Sequence, residues 1–557
     1  MKSNQKYLNL ETKVGADEAA LPNERFRIWE IGLLFTVRDR LKSGDIFVRL
    51  SSRFRPFWEM LFPESEWKIR REQQFEKLQI PKDFSIVKEK LLEEFSKVFT
   101  HFKSSLNSNK FIKEINDGKI YLSKDYANKE DKEIKRLRKA IERSLPLELT
   151  VEKLLEDVDR HFDITGFLIS RAREGKKWLH KRHVILAALL AQATNIGPTV
   201  MAKSANNITL SELNDCIREC LTEQNLRDLI HHQVKFHLEL PYSKNYGVGD
   251  ISSSDGQRFA VRQGSIETSL CTRYFGFYKY VLGVYTHILD DLSVFSTDIL
   301  PCRIRESQFM LNGLFSSQHI VQPKIHTTDT HGYTDQIFAI TYLVGITFAP
   351  RLKDLGEVKL FRILPKQDLG EEFNNLLSDV ANIDSIAPYW DDIVRVISAL
   401  KEGHVLASDI LPKLGAGMHI DKLSQAFTTL GKIVKTIFLL RYLSDTDFRR
   451  MIRRQLNKGE HRHSLSDHVF FANKGEFCYG DRESLICQST CLSAICNSIL
   501  IWNTIEYDKI IAQLQSTGFI LDQKYLSHIS PLLYKHIRIN GKYEFDLTIN
   551  EEKVFQA

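Results

Sequence analysis

The chain of 557 residues lacks the marks of several protein classes. Its eight Cys residues include no C-x-x-C pair, so neither a zinc ribbon nor a disulfide framework is indicated. Cys216 and Cys220 lie one helical turn apart, as do Cys487 and Cys491, which predicts buried thiols on helices. The N-terminus has no apolar signal-peptide core, and the longest apolar runs are too short or too polar to cross a bilayer. We therefore expect a cytoplasmic protein.

Strong charge is also absent. The net charge of +6 favours nucleic acid over acidic partners without identifying one. There is no low-complexity linker, and the only repeat is the tetrapeptide NKGE, at 457–460 and 473–476. The hydrophobic content of 43% is that of a globular chain, and the length predicts three or four structural units.

Hydrophobic periodicity predicts helices, then a mixed α/β unit, then helices again. Apolar residues recur at helical spacing from about 23 to 233. Strands are predicted by "QVKFHLELPY", "RFAVRQGS", "YFGFYKYVLGVYTHI" and "EVKLFRIL", and a helix followed by a strand by "TDQIFAITYLVGITFAP". Helices are again predicted by "FNNLLSDVANI", "YWDDIVRVISALKEG" and "LSQAFTTLGKIVKTIFLLRYL". We divide the chain into a helical region at 1–235, a mixed α/β domain at 236–480 with a helical insertion at about 368–443, and a mostly helical region at 481–557.

Three carboxylates stand out in the mixed domain. Asp255 lies in "SSSDGQRF", where small residues let a metal ion or phosphate approach the backbone; the alternative is a hairpin turn. Asp329 lies in "HTTDTHGYTDQIF", which predicts either that His331 and Asp335 converge with it at a strand end or that the chain makes a polar turn there. Glu460 follows an arginine-rich helix that suits a DNA backbone, or that is only a solvated face.

Two Asp residues and a Glu on a mixed α/β unit suggest phosphoryl transfer with two Mg²⁺ ions. Carboxylate oxygens suit Mg²⁺, whereas a His at position 331 suits a substrate contact better than ligation of a hard ion. The group His461, His463, Asp467 and His468 is not spaced as a zinc site, and we expect phosphate contacts or plain exposure there.

Several motifs resemble one family. "SSSDGQRF", "HTTDTHGYTDQIF", "FAPRLKDLG" and "LNKGE" are similar to the catalytic part of the replicative, cointegrate-forming transposases of the Tn-three family. "VRDRLKSGDIFV", "YWDDIVRVISALKEGHVLAS", "SILIWNT" and "LSHISPLLYKHIRINGKY" agree as well, in the order in which the family has them. The resemblance runs over nearly the whole chain.

The resemblance implies an RNase H-like core with a DDE triad. Asp255 in the SSDGQ motif, Asp329 in D-T-H-G and Glu460 in N-K-G-E would be the catalytic residues and would hold two Mg²⁺ ions, or Mn²⁺ in their place. The separations are 329 − 255 = 74 and 460 − 329 = 131 residues, the second being long because helices are inserted before the last core helix. The activity implied is Mg-dependent cleavage at the 3′ ends of a transposon, followed by strand transfer into target DNA.

The implied partners are double-stranded DNA, as inverted-repeat ends and target, and a second copy in a homodimer, with no membrane. The helical region at 1–235 would serve dimerisation or DNA contact. Residues expected to touch DNA are Arg258, His331, Arg449, Arg450, Arg453, Arg454 and Lys458. We expect a bacterial protein that joins the nucleoid when bound to DNA.

One departure from the family leaves an alternative open. Family members are much longer on the N-terminal side, and that part carries much of the recognition of the inverted repeats. The alternative function is therefore a non-catalytic remnant that dimerises with a full-length transposase and inhibits it. A less favoured third reading is an RNase H-like nuclease that acts outside transposition.

The twin NKGE raises the question of which Glu belongs to the site. On one straight helix, positions 16 apart would be rotated by about 160°. Glu460 and Glu476 would then face nearly opposite sides, unless Gly459 or Gly475 breaks the helix. Only Glu460 follows the arginines, while Glu476 resembles the start of a turn or a helix end. The sequence therefore favours Glu460.

Overall fold

The computed structural model of the chain describes most of its residues. They are 22–51, 53–106, 109, 112–116, 119–122, 131–329, 333–352, 358–365, 369–374, 376–377, 379–416 and 421–546. The fold is mixed α/β and mostly helical, with one central mixed sheet.

Helices form most of the chain before the sheet. They are α1 (Pro22–Ser43), α2 (Glu64–Leu78), α3 (Phe84–Ser105), α4 (Lys132–Ser144), α5 (Val151–Phe162), α6 (Ile164–Arg171), α7 (Arg182–Ala193), α8 (Gly197–Ser204), α9 (Leu210–Cys220) and α10 (Glu223–Glu239). Short strands interrupt them: β1 (Ile112–Asn116), β2 (Lys119–Leu122) and β3 (Leu149–Thr150). The amphipathic helix α5 buries its apolar stripe, as the spacing of its apolar residues predicts.

The sheet and the helices around it follow. In chain order they are β4 (Ile251–Val261), β5 (Ser269–Leu270), α11 (Thr272–Phe275), β6 (Tyr280–Leu289), β7 (Val294–Pro301), α12 (Ser307–Ser316), β8 (Ile325–Thr328), α13 (Asp335–Leu343), β9 (Thr347–Phe348), β10 (Phe361–Arg362), α14 (Glu371–Asn374), β11 (Asp379–Val380), α15 (Trp390–Lys401), α16 (Ala407–Ala416), α17 (Asp421–Ser444), α18 (Thr446–Val469), β12 (Glu476–Phe477), α19 (Arg482–Ser516) and β13 (Ile537–Arg538).

Strand β4 is the centre of a seven-stranded sheet. It pairs antiparallel with β6, which pairs antiparallel with β7 and β5. The other edge of β4 carries two parallel partners: β8 beside 251–254 and β12 beside 260–261, while β9 lies parallel to β8. Within the described residues, no strand pairs with 255–259 on that edge, so the sheet has a notch there.

Two predicted elements are wrong. The stretch "QVKFHLELPY" is the end of helix α10 rather than a strand. Val234, Phe236 and Leu238 alternate locally, but Leu226, Ile230 and Val234 are buried at a helical spacing of four over the longer window. "FNNLLSDVANI" holds only the last residues of α14 and the short strand β11, which pairs with β10, so tertiary pairing overrides the local helical pattern.

The stretch 457–476 is not one helix. Helix α18 ends at Val469, and Gly459 lies inside it without interrupting it. Asn473, Lys474 and Gly475 then take positive φ angles, of 53°, 60° and 68°. A reversal of this kind suits Gly and Asn, and it ends the helical run before Glu476. The two NKGE copies therefore lie on different elements.

Helix α19 is the central helix of the C-terminal part. By length and composition it could span a membrane, with a mean hydropathy of 1.5 over its most apolar 18 residues, but 94% of that segment is buried inside the protein. The apolar run is longer than the sequence pattern indicated. Cys487 and Cys491 are buried on it, as Cys216 and Cys220 are on α9, which confirms the prediction of buried helical thiols.

A buried polar triad ties three parts of the fold together. His237 Nδ1 on α10 lies 2.8 Å from Asp291 Oδ2 in the β6–β7 turn, and His237 Nε2 lies 2.9 Å from Thr504 Oγ1 on α19. Burial alone would raise the pKa of Asp291, but the bonds from His237 and Ser293 lower it on balance. The charged carboxylate is therefore favoured in the folded state.

We expect Asp291→Ala to lower the free energy of unfolding by about 3–5 kcal/mol, because it leaves a buried imidazole without its partner. The depressed folded pKa means that this contribution is present above about pH 4 and fades as the pH falls further. Urea unfolding at pH 7 and pH 3 measures both effects. Asp250→Ala, which removes an exposed pair with Lys324, is the matched control and should cost less than about 1 kcal/mol.

Candidate active site

Strand pairing brings Asp255 and Asp329 together. Ser254 on β4 is in register with Thr328, the last residue of the parallel strand β8. Asp255 and Asp329 each follow that pair by one residue, and neighbouring strands lie about 4.8 Å apart. Both carboxylates therefore stand at the notch, where β8 ends and β4 continues.

Glu460 reaches the same place from helix α18. Gln455 Nε2 donates to Ser253 Oγ at 3.2 Å, and Gln257 Nε2 donates to Asp467 Oδ1 at 2.7 Å. Helix α18 therefore runs along one face of β4, and Glu460 lies on the part of the helix that passes Asp255. The side chain of Glu460 is exposed.

Burial and nearby carboxylates change the pKa of Asp255. Burial and the charges of Glu460 and Asp329 raise its pKa to about 6, although the backbone N–H of Gly256 and the charge of Arg258 act in the opposite direction. The Gly256 N–H donates to Oδ1 at 2.8 Å. About a third of the side chain, 34%, stays accessible, so the carboxylate can meet a substrate or an ion.

A fourth carboxylate, Glu306, lies at the site and was not predicted. Burial and the charges of Asp255 and Asp329 raise its pKa to about 7, while Arg258 lowers it. It precedes helix α12 and approaches β4 at Gly256, where an added Cβ would lie 2.6 Å from Glu306 Oε1. Only glycine permits this approach without displacing Glu306. The "RES" tripeptide around Glu306 carries no motif, so no sequence signal marks it.

His463 on α18 is the second residue that the sequence did not place at the site. Its Nδ1 lies 4.0 Å from Asp255 Oδ2, and burial together with the charge of Arg462 lowers its pKa to about 3. The imidazole is therefore neutral at pH 7. Of its neighbours in the His-rich stretch, Asp467 accepts from Gln257, and His468 stacks on Tyr534 with ring centroids 4.5 Å apart.

The basic residues of α18 differ in how far their side chains are exposed to solvent. Arg450 and Arg454 are exposed and one helical turn apart, and Arg453 is half-buried. Arg449 instead donates to the carbonyl oxygens of Tyr442 and Leu443, which satisfies the C-terminal end of α17. These contacts leave the exposed arginines as the cations that α18 presents to solvent.

Two further predicted DNA contacts, Lys458 on α18 and Arg258 on β4, have different surroundings. Lys458 turns inward, where its ammonium donates to the carbonyl oxygens of Tyr246 and Asp290, and burial lowers its pKa. Arg258 on β4 is exposed, with its guanidinium 4.9 Å from the centre of the Tyr274 ring and 4.0 Å from Glu306 Oε1.

Three candidates remain: His331, Asp335 and Glu476. His331 lies outside the described residues. Asp335 at the start of α13 pairs with Lys435. Glu476 on β12 pairs with Lys279 at 2.6 Å and with Arg262 at 3.8 Å, and the hydrogen bond from Lys279 lowers its pKa.

The site has the donor chemistry that Mg²⁺ prefers, because carboxylate oxygens surround Asp255. A cation would also relieve the repulsion that raises the pKa of Asp255. Across the described part of the chain, no three His, Cys, Asp or Glu side chains lie close enough together to hold one ion. The oxygen ligands at the site therefore suit a hard divalent cation. To bind one, the carboxylate side chains must move closer to one another.

Comparison with known proteins defines the class. Residues 153–543 match the model of the Tn3 transposase DDE domain, so the chain contains a DDE transposase domain and an RNase H-like core is implied. The match covers more than half of the chain. The chain belongs to the Tn3 transposase family.

Relatives extend the similarity beyond that domain. The transposase for transposon Tn501 of Pseudomonas aeruginosa is 32% identical over 529 residues, which are 93% of this chain and 52% of the relative. The transposase for transposon Tn1546 of Enterococcus faecium is 31% identical over 94% of this chain, and the transposase for transposon gamma-delta of Escherichia coli is 28% identical over 93%. This chain spans about half the length of these relatives.

Proposed function

We propose that the chain is the catalytic portion of a replicative DDE transposase, which cleaves the 3′ ends of transposon DNA and transfers them to target DNA. The observation that carries the proposal is that Asp255 and Asp329 follow paired residues of neighbouring strands and that the charges of Asp329 and Glu460 act on Asp255. The match to the DDE domain supports this assignment.

In this proposal Asp255, Asp329 and Glu460 hold two Mg²⁺ ions, for which Mn²⁺ can substitute. When bound, the ions supply an activated oxygen nucleophile and neutralise charge on the phosphate. The role of the protein is to hold the carboxylates on rigid strands and a packed helix, so that phosphate and ions meet in one geometry. Neutral His463 beside Asp255 adds a hydrogen-bonding group without adding charge.

The proposed DNA surface is the exposed side of α18 with Arg258. Arg450, Arg453 and Arg454 would contact the backbone of inverted-repeat ends or target, and His331 remains a proposed contact from the D-T-H-G motif. Arg449 and Lys458 use their donors on carbonyl oxygens inside the protein, so their proposed role becomes that of supporting α18.

The proposed organisation follows the domain division at 1–235, 236–480 and 481–557. An RNase H-like core in the middle part is supported by three successive antiparallel strands, β4, β6 and β7, with β8 and β9 parallel to the first. Helices α15 to α17 between β11 and α18 would be the insertion. A homodimer acting on two DNA ends in the cytoplasm completes the proposal.

A strand-joining assay tests the function. We would incubate the chain and Mg²⁺ with a supercoiled plasmid and a labelled DNA fragment. The fragment carries the pre-cut end of the transposon that encodes this chain. Joined product that depends on Mg²⁺ is expected. Cleavage of unrelated DNA without any joining would support a nuclease instead. No joining, combined with suppression of a full-length relative in cells, would support the inhibitory alternative.

Glu306 gives a pH prediction. Its pKa of about 7 and that of Asp255, about 6, are raised above ordinary values, so both groups take up protons as the pH falls from 8 to 6 and the attraction for cations weakens. We expect Glu306→Gln to abolish the ionisation of pKa about 7. The joining rate should then begin to fall only at a lower pH than in the wild type.

The measurement for Glu306→Gln is the pH–rate profile at fixed Mg²⁺ concentration. Glu267→Gln is the control, because Glu267 pairs with Arg482 and is absent from the groups that shift the pKa of Asp255. A profile for Glu306→Gln that overlays the wild-type profile would contradict the assignment of Glu306 to the site.

A further inference from the structure

Residues 271–279, which we name the aromatic loop, join β5 to β6 and carry an unusual set of exposed rings. Tyr274, Phe277 and Tyr278 are 59%, 74% and 96% exposed. Aromatic side chains normally bury most of their area in a core or an interface, and exposed clusters of them mark contact sites. The aromatic loop is thus a surface to which a partner can be assigned.

At Tyr274 the loop contacts the strand that carries Asp255. Arg258, three residues after Asp255 on β4, places its guanidinium 4.9 Å from the centre of the Tyr274 ring, and Arg273 lies 5.4 Å from it. Arg258 also approaches Glu306, at 4.0 Å. The cation–π contact from Arg258 therefore links Tyr274 to the strand that carries Asp255, while Arg273, the neighbour of Tyr274 on α11, adds a second cation at the ring. Phe277 and Tyr278 follow beyond Gly276, whose φ is +76°.

The charge around the loop favours an anionic partner. Arg262 and Lys279 share one carboxylate, Glu476, so this group keeps a net positive charge. Arg258 and Arg273 add two cations at Tyr274. Exposed rings flanked by cations form the arrangement that binds single-stranded nucleic acid, in which rings stack on bases and cations track phosphates.

We propose that Phe277 and Tyr278 stack on unpaired DNA bases about 20 Å along β4 from the phosphate held at Asp255, since Tyr280 is in register with Val261, six residues after Asp255. This inference rests on the proposed DNA chemistry of the site and adds a preference for DNA whose strands are locally separated. Strand separation within a few nucleotides of the scissile phosphate exposes base faces that a duplex hides, and the loop supplies the rings that can cover them.

The test compares two DNA probes on the full chain by fluorescence anisotropy. One probe is a 30-base-pair duplex, and the other has the same sequence with five mismatched thymidines at its centre. EDTA is present, so no cleavage or joining is needed. We expect the wild-type chain to bind the mismatched probe more tightly, and the double variant Phe277→Leu with Tyr278→Leu to lose at least about 10-fold in affinity for it.

Leucine keeps apolar bulk but has no aromatic face, so the double variant separates stacking from general hydrophobic docking. Affinity for the plain duplex should change less than about twofold, because duplex binding depends mainly on phosphate contacts. Ile266→Ala is the matched control: Ile266 is 93% exposed, lies between β4 and β5 and has no ring. Its variant should bind both probes as the wild type does.

Further outcomes separate this inference from its alternatives. Asp255→Asn should keep the preference for the mismatched probe even if joining fails, which distinguishes failure of the loop from failure of the catalytic proposal. Equal losses on both probes, or no loss, in the leucine double variant would overturn the inference. If that variant also changes the sedimentation of the free chain while DNA binding stays intact, the loop is instead a contact between two copies.

Discussion

Asp255→Asn is expected to reduce strand joining by about 10³-fold or more, equivalent to roughly 4 kcal/mol of lost transition-state stabilisation. Asn keeps the shape of the side chain but removes the charge at the centre of the carboxylate cluster. Since the Gly256 N–H still has an oxygen acceptor, the backbone of β4 should stay in place. The measurement is the initial rate of joined product at saturating Mg²⁺.

The same substitution should not weaken the fold. The folded pKa of Asp255, about 6, lies above the unfolded value near 4, so the charged carboxylate disfavours the folded state above that range. In the absence of metal, we expect Asp255→Asn to melt at the same or a higher temperature than the wild type at pH 8, and to match it at pH 4. Loss of joining with a lower melting temperature would point to misfolding instead.

Asp250→Asn is the control for this prediction. Asp250 precedes β4, lies outside the SSDGQ motif and pairs with Lys324 at 2.9 Å on the surface. Removal of an exposed pair should cost less than about 1 kcal/mol and should leave joining intact. If Asp250→Asn abolished joining and Asp255→Asn did not, the assignment of the first catalytic Asp would be wrong.

Local sequence motifs singled out the three carboxylates as candidates, and each lies next to a strand or on a helix. Asp255 and Asp329 follow paired residues of neighbouring strands, but the strand β8 and its pairing with β4 were not predicted. Helices α13, α15 and α17 were predicted from the sequence and are present in the structure. Long periodic elements are the ones that local sequence determines best.

Glu306 and His463 show what the sequence could not give. Glu306 reaches the site only because helix α12 packs near β4 at the point where Gly256 has no side chain, and that contact joins residues 50 positions apart. His463 is placed by the packing of α18 on β4, through pairs such as Gln455 with Ser253. Both side chains are placed by tertiary packing between a helix and β4. A local sequence motif carries no information about such packing.

The arginine-rich helix illustrates the same limit for charge. Arg450, Arg454 and Lys458 are spaced by four and predict one basic stripe. The first two are exposed, whereas Lys458 lies where α18 meets the β6–β7 turn and donates to the Asp290 carbonyl oxygen. A long flexible side chain can turn inward to satisfy buried carbonyl groups, so spacing alone does not fix its partner.

The twin NKGE motif provides the second large prediction. We expect Glu460→Gln to reduce joining by about 10³-fold or more, because it removes a carboxylate whose charge already acts on Asp255. Glu476→Gln should leave joining within about threefold of wild type. Glu476 serves two surface ion pairs, with Lys279 and Arg262, whose loss costs about 1 kcal/mol or less.

The pair of variants forms a matched comparison, since both replace the last residue of the same tetrapeptide with the same amide. DNA affinity measured in EDTA should be unchanged for Glu460→Gln, which separates a loss of chemistry from a loss of binding. For Glu476→Gln, DNA affinity should rise slightly, because Lys279 and Arg262 then face the DNA without a competing carboxylate. Equal loss of joining in both variants would mean that neither Glu is specific to the site, and loss in Glu476→Gln alone would reverse the assignment.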